Sequence, residues 1–177
     1  MRFSFGAKPL PFSTINFLRS TEQPLHSDYV HFGTKPAFML AAAWIALEDI
    51  DHRSGPIQIV KKSHLMPEFR YSDLGIPVAR SLGDIKRHYG LYEDWVKDYV
   101  ASENVETYAP KLSKGDAIIW KANLLHGSPD CIDNKLSRRS QVIHYHFENT
   151  DLFYNPSFSD PVSGKFVQRD VKFIPND

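Results

Sequence analysis

Proline and glycine recur along the whole chain at no fixed period and cut it into apolar runs of strand length. Twelve prolines and nine glycines are spread through 177 residues, so the segments between them read as short strands joined by turns. Ser13 to Leu18, Pro24 to Phe32, Phe38 to Leu47, Pro56 to Val60, Val105 to Leu112, Asp116 to Trp120 and Arg138 to Phe147 carry the β-branched and aromatic residues that suit strands. The turn formers in Asp51-His-Arg-Ser-Gly-Pro56 predict a hairpin-like corner between two neighbouring strands. The rhythm changes from Leu82 to Ser102, where Ile85, Tyr89, Tyr92, Val96 and Tyr99 recur at three- and four-residue intervals among charged residues; this predicts an amphipathic helix. After Thr150 the chain reads as surface loop with one last strand near Phe166 to Ile174. The expected architecture is mainly β, a jelly roll or double-stranded β-helix of the cupin-like kind with one or two flanking helices. At this length a single domain over residues 1–177 is expected.

Charge narrows the function classes. Lys plus Arg total 21 and Asp plus Glu total 21, so no net field draws the chain to phosphate backbones or anionic lipid, and neither nucleic acid nor a membrane surface is an expected partner. The longest apolar stretch, Phe38 to Leu47, is far short of the roughly 20 residues that cross a bilayer. The lone Cys131 has no internal partner for a disulfide, which fits a reducing, cytoplasmic setting. The N-terminus lacks the apolar core and cleavage site of a secretory signal.

Among eight histidines, one context has the geometry of metal chemistry. In an extended segment the side chains of His26 and Asp28 leave the same face, their Cα atoms about 6.6 Å apart, so an imidazole and a carboxylate can converge on one ion. His126, in Trp120-Lys-Ala-Asn-Leu-Leu-His-Gly-Ser128, follows a strand and opens a turn from which a third ligand can reach inward. Two His and one carboxylate with open positions opposite form the facial triad of non-haem Fe(II) oxygenases. A keto-dicarboxylate cosubstrate of such a centre needs a fixed cation for its far carboxylate, and the planar fork of Arg suits it. Arg138 and Arg139 are the candidates, and only one can face inward, because consecutive strand residues point to opposite faces. His144 and His146 form a second i, i+2 pair, which fits a supporting, substrate-side or structural role better than a rival metal site. His31, His52, His64 and His88 read as ordinary histidines.

In these residues and the motifs around them the sequence resembles the phytanoyl-CoA dioxygenase family of Fe(II)/2-oxoglutarate-dependent oxygenases. The resemblance rests on Gln23-Pro-Leu-His-Ser-Asp28, Trp44-Ile-Ala-Leu-Glu-Asp-Ile50 followed by Gly55-Pro56, Ser63-His64, Lys114-Gly-Asp116, His126-Gly-Ser128, and Arg138 with Ser140-Gln-Val142 and His144-Tyr145, in that order. It implies that His26, Asp28 and His126 hold iron, that Arg138 grips 2-oxoglutarate with Arg139 as the alternative, and that Ser128 and Trp44 line the cosubstrate pocket. The implied cofactors are Fe(II), 2-oxoglutarate and O₂. The implied reaction is hydroxylation of a small organic substrate with release of succinate and CO₂. Two departures stand out: Lys61-Lys-Ser-His64 replaces the family's Pro-Gly-Ser-His turn, and the helical region that precedes the first core strand in the family is expected to be absent here. A catalytically inactive binding protein of the same fold is the alternative, and a zinc hydrolase using the same ligands is a third reading, disfavoured by Arg138.

Overall fold

The computed structural model describes residues 6–66, 68–103 and 105–174. Its strands are β1 (Pro9–Phe17), β2 (Gly33–Lys35), β3 (Leu40–Ala46), β4 (Gln58–Val60), β5 (Thr107–Tyr108), β6 (Ala117–Lys121), β7 (His126–Gly127), β8 (Ser140–Phe147) and β9 (Leu152–Tyr154). The α-helix α1 (Leu82–Ser102) covers the span the periodicity predicts. The larger antiparallel sheet has the order β1-β8-β3-β6, a smaller one β5-β4-β7, and β2 pairs with β9. Strands far apart in sequence lie side by side, which is the winding of a jelly roll, the double-stranded β-helix expected from the sequence.

Register decides what faces inward. Ser13, His144, Ala42 and Trp120 form one row across the larger sheet, and Ile15, Val142, Trp44 and Ile118 form the next row on the same face. Ala42, Trp44, Trp120 and Val142 join Ala46, Ile57 and Leu112 in the core between the sheets. Ala42 carries nothing beyond Cβ, so a hollow opens between the rings of His144 and Trp120. Helix α1 begins at Ser81, whose hydroxyl accepts the Asp84 amide at 3.1 Å. The helix buries Tyr92 and Val96 against Val30, Val60, Tyr71 and Leu125 in a second apolar cluster.

Several expected elements differ. The expected strand Pro24 to Phe32 reduces to an isolated bridge at His26, after which Asp28–Val30 coils into a 3-10 turn. The Asp51 to Pro56 corner is no hairpin: Asp51 caps a 3-10 turn at His52–Ser54, Gly55 follows with φ 68°, and the chain passes from the larger sheet to the smaller. Val105 to Leu112 keeps only Thr107–Tyr108 as strand. The tail is not merely surface loop, because β9 docks on β2 with Tyr154 buried against Gly33, where an added Cβ would overlap the Tyr154 ring. The last expected strand, Phe166 to Ile174, is instead represented by a single bridge from Gln168 to Tyr154. Sequence periodicity missed β2 and β9 because they are three-residue strands fixed by packing, too short to show alternation.

His146 on β8 sits between the rings of Phe12 and Phe153, with centroids at 4.5 and 3.8 Å. Burial pushes its pKa down to about 4. An unfolded histidine titrates near 6.5, so between those values the unfolded chain binds the extra proton and folding stability falls as pH drops. The contribution present above about pH 6.5 is on the order of 3 kcal/mol and is lost progressively toward pH 4. Urea midpoints measured from pH 7 to pH 5 should therefore fall more steeply in the wild type than in His146→Phe. Parallel slopes would exclude this role.

Candidate metal centre

The ligand segment is held from two sides. His26 and His126 exchange backbone hydrogen bonds of 2.9 Å in each direction. Ser27 between His26 and Asp28 is extended, at φ −110° and ψ 145°, so the same-face geometry of i and i+2 survives for this one step although the segment is not a strand. The Ser27 amide donates to the Tyr92 hydroxyl of α1 at 2.8 Å, and the Tyr29 amide donates to the Ala122 carbonyl. Gly127 must be glycine on contact grounds, since a Cβ there would lie 2.8 Å from the Gln23 carbonyl oxygen.

His26, Asp28 and His126, all buried, each offer a ligand atom within 4.8 Å of the others. The Nδ1 of His26 lies 2.9 Å from the Pro24 carbonyl, and the Nδ1 of His126 lies 3.0 Å from the Leu124 carbonyl. A carbonyl only accepts, so each Nδ1 carries the hydrogen and each Nε2 keeps a lone pair for the centre. Gln23 donates its amide to the Nε2 of His26 at 3.1 Å and marks the position an ion would take over. Burial, helped by His126, pushes the His26 pKa down to about 3, so this imidazole is neutral at pH 7. Burial alone would raise the Asp28 pKa, but His126 and His144, with His26, outweigh it and hold the carboxyl well below the ordinary carboxylate range. A neutral imidazole at His26 beside an ionised carboxylate at Asp28 suits the binding of a divalent ion.

A cavity of about 270 Å³ opens beside the three residues and is lined by Trp44, Ser128, Arg138 and His144 among others. Arg138 is 2% exposed. Its Nη1 donates to the Ser128 hydroxyl at 2.8 Å and the Gly55 carbonyl at 3.2 Å, and its guanidinium lies 5.8 Å over the Trp44 ring. Its buried Nε has no hydrogen-bond partner among the described residues. No carboxylate among the described residues pairs with it, whereas Arg139 points outward, 63% exposed, 3.9 Å from Glu48. Burial lowers the Arg138 pKa to about 10, which leaves it charged at pH 7. A buried cation with no counter-charge is a strong attractor for an anion. The donor set and this orphaned guanidinium fit a divalent ion together with a carboxylate-bearing cosubstrate.

All six residues singled out in the sequence thus reach one cavity. Of their supports, the sequence gives His144 a supporting, substrate-side or structural role but does not single out Trp120. Trp120 donates its indole N–H to Asp28 Oδ2 at 2.8 Å, and the Nε2 of His144 lies 3.6 Å from Asp28 Oδ1. His31, read as ordinary, lines the cavity and stacks on Tyr89 at 5.1 Å. Only the inward register of β6 and β8 reveals the first two, and it becomes visible once the row through Ala42 is known. The Asp28 carboxylate sits between the Trp120 and His144 side chains of that row, so Ala42→Leu should fill the hollow, cost about 1–3 kcal/mol by overpacking and displace Asp28. Thermal melting and metal content after dialysis check both effects.

A family model described as phytanoyl-CoA dioxygenase (PhyH) matches residues 10–140. The peroxisomal phytanoyl-CoA dioxygenase of Mus musculus is 26% identical over 139 residues, covering 75% of this chain and 35% of that protein. The Homo sapiens counterpart is 26% identical over 144 residues, covering 77% and 36%. The chain therefore spans about a third of the length of these curated relatives. Among solved structures, the alpha-ketoglutarate-dependent epimerase SnoN from nogalamycin biosynthesis superposes with a TM-score of 0.59 at 17% identity, over 97% of this chain and 66% of that one. EctD from S. alaskensis with bound Fe gives 0.58 at 19% identity, over 82% and 47%. These likenesses show the fold.

Proposed function

Because the chain belongs to the phytanoyl-CoA dioxygenase family, we propose that it is an Fe(II)/2-oxoglutarate-dependent dioxygenase that hydroxylates a small organic substrate, with release of succinate and CO₂. The observation that carries this reading is one cavity lined by both a two-His, one-carboxylate set and a buried guanidinium without a counter-charge among the described residues. Fe(II), when bound by His26, Asp28 and His126, supplies the redox chemistry that activates O₂ against the keto acid. The protein's own residues do the rest. Arg138 binds the far carboxylate of 2-oxoglutarate through charge-assisted hydrogen bonds. Ser128 and the Gly55 carbonyl hold the guanidinium by one nitrogen, leaving its other donors for the ligand. Trp44 forms an apolar wall beside it and helps exclude water, which strengthens the ion pair.

A zinc hydrolase would have no use for an uncompensated Arg138, so the oxygenase reading is favoured. The substrate is a small molecule, and a cytoplasmic site of action fits the lone cysteine. No helix among the described residues is long and apolar enough to cross a membrane. The test is 2-oxoglutarate consumption with equimolar succinate formation under Fe(II) and air. Metal binding with neither 2-oxoglutarate binding nor succinate formation would favour the inactive binding protein. Hydrolysis under zinc without oxygen would replace the proposal.

A further inference from the structure

Trp120 touches two of the three residues at the centre. Its indole N–H meets Asp28 Oδ2 at 2.8 Å, and its ring packs on that of His126 with centroids 4.4 Å apart. Trp120 is buried, at 4% exposure. The other oxygen, Oδ1, faces the opposite way, 3.7 Å from the Nε2 of His126 and 3.6 Å from that of His144. An indole nitrogen can only donate, so whatever is bound nearby, its preferred partner remains a carboxylate oxygen.

We propose that Trp120 is a positioning residue that holds Oδ2 of Asp28 against β6, so that the carboxylate gives a metal ion only Oδ1. The inference rests on the metal-centre reading above. A carboxylate of this kind can bind an ion through one oxygen or two, and the second mode consumes a coordination position. Reserving Oδ2 for the indole keeps that position open for a bidentate cosubstrate. Ala42, lying between Trp120 and His144 in the sheet register, gives the carboxylate the room to sit in this pose. Contact with the His126 ring lets the same indole fix a second ligand's orientation, which is how outer partners commonly tune a centre.

The experiment uses the whole chain. In Trp120→Phe the ring is kept and the donor removed. Co(II) should still bind, its visible absorption should weaken as Oδ2 joins the ion, and 2-oxoglutarate binding to the Co(II)-loaded protein should fall about 10-fold or more. A merely structural role for Trp120 would lower the melting temperature and leave the absorption and the 2-oxoglutarate affinity of the folded fraction unchanged; that result overturns the proposal. Wild-type protein provides the second measurement, independent of whether the variant folds. The indole N–H resonance showing Overhauser contacts to the His126 ring should stay downfield and protected from exchange when Zn(II) is added. Loss of that protection on loading would mean both oxygens turn to the metal, and the proposal fails. Absence of Co(II) and Zn(II) binding to wild type would overturn the metal centre itself, an outcome distinct from failure of the Trp120 assignment.

Discussion

Asp28→Ala should lose metal retention by more than about 100-fold, beyond the 10- to 100-fold typical of removing an outer partner. The carboxylate is the centre's only anion among the described residues, and its neighbours His126, His144 and His26 favour its ionised form. Asp28→Asn is the sharper version, because its amide oxygen still accepts from Trp120 and its volume is unchanged, so the fold has little reason to move. Metal content after dialysis against Fe(II), with circular dichroism on the same samples, decides the matter. His26→Ala should behave alike. Unchanged metal content in either variant would refute the ligand assignment.

Arg138→Leu should weaken 2-oxoglutarate binding to the metal-loaded protein by about 30-fold or more, the equivalent of roughly 2 kcal/mol, the lower end of what losing one partner of a buried charge pair costs. Arg139→Leu should change it less than about 2-fold, since an exposed pair such as Arg139 with Glu48 is worth 0–1 kcal/mol. Stability supplies the complementary readout. Arg138 has no counter-charge to leave stranded among the described residues, so replacing it with an apolar side chain should leave the urea midpoint unchanged or raised. A structural arginine would do the opposite. The reverse ranking of the two arginines in calorimetric titration would mean that the other register of β8 faces the cavity.

Legible in the sequence is whatever obeys a period or a fixed local spacing. Helix α1 shows itself in five aromatic and aliphatic residues on one face, and β8 in the alternation from Ser140 to Phe147. His26 and Asp28 are legible as a pair because an extended Ser27 suffices to put them on one side, although the strand expected around them is a single bridge. Trp120 and His144 are not legible in the same way. Their relation to Asp28 depends on which residue of β3 lies between them, and no local rule on either strand encodes that register. The inward turn of Arg138 rather than Arg139 likewise follows from the start of β8 at Ser140 and its pairing with Ala46 on β3. The docked tail is not legible because Tyr154 packs where Gly33 has no side chain, a contact across more than a hundred residues of chain.

The hydroxyl of Tyr92 reaching the Ser27 amide ties the helix to the segment that carries two of the three ligands. Occupancy and helix integrity are therefore thermodynamically linked: an ion that binds only the assembled site adds RT ln(1 + [L]/Kd) to the stability of everything that assembly requires. At a free concentration 100 times Kd this amounts to about 2.7 kcal/mol. Amide protons on the buried stripe of the helix should consequently exchange more slowly in metal-loaded protein, although none of those residues touches the ion. In Tyr92→Phe the gain in protection should shrink, because the tether between helix and centre has been cut.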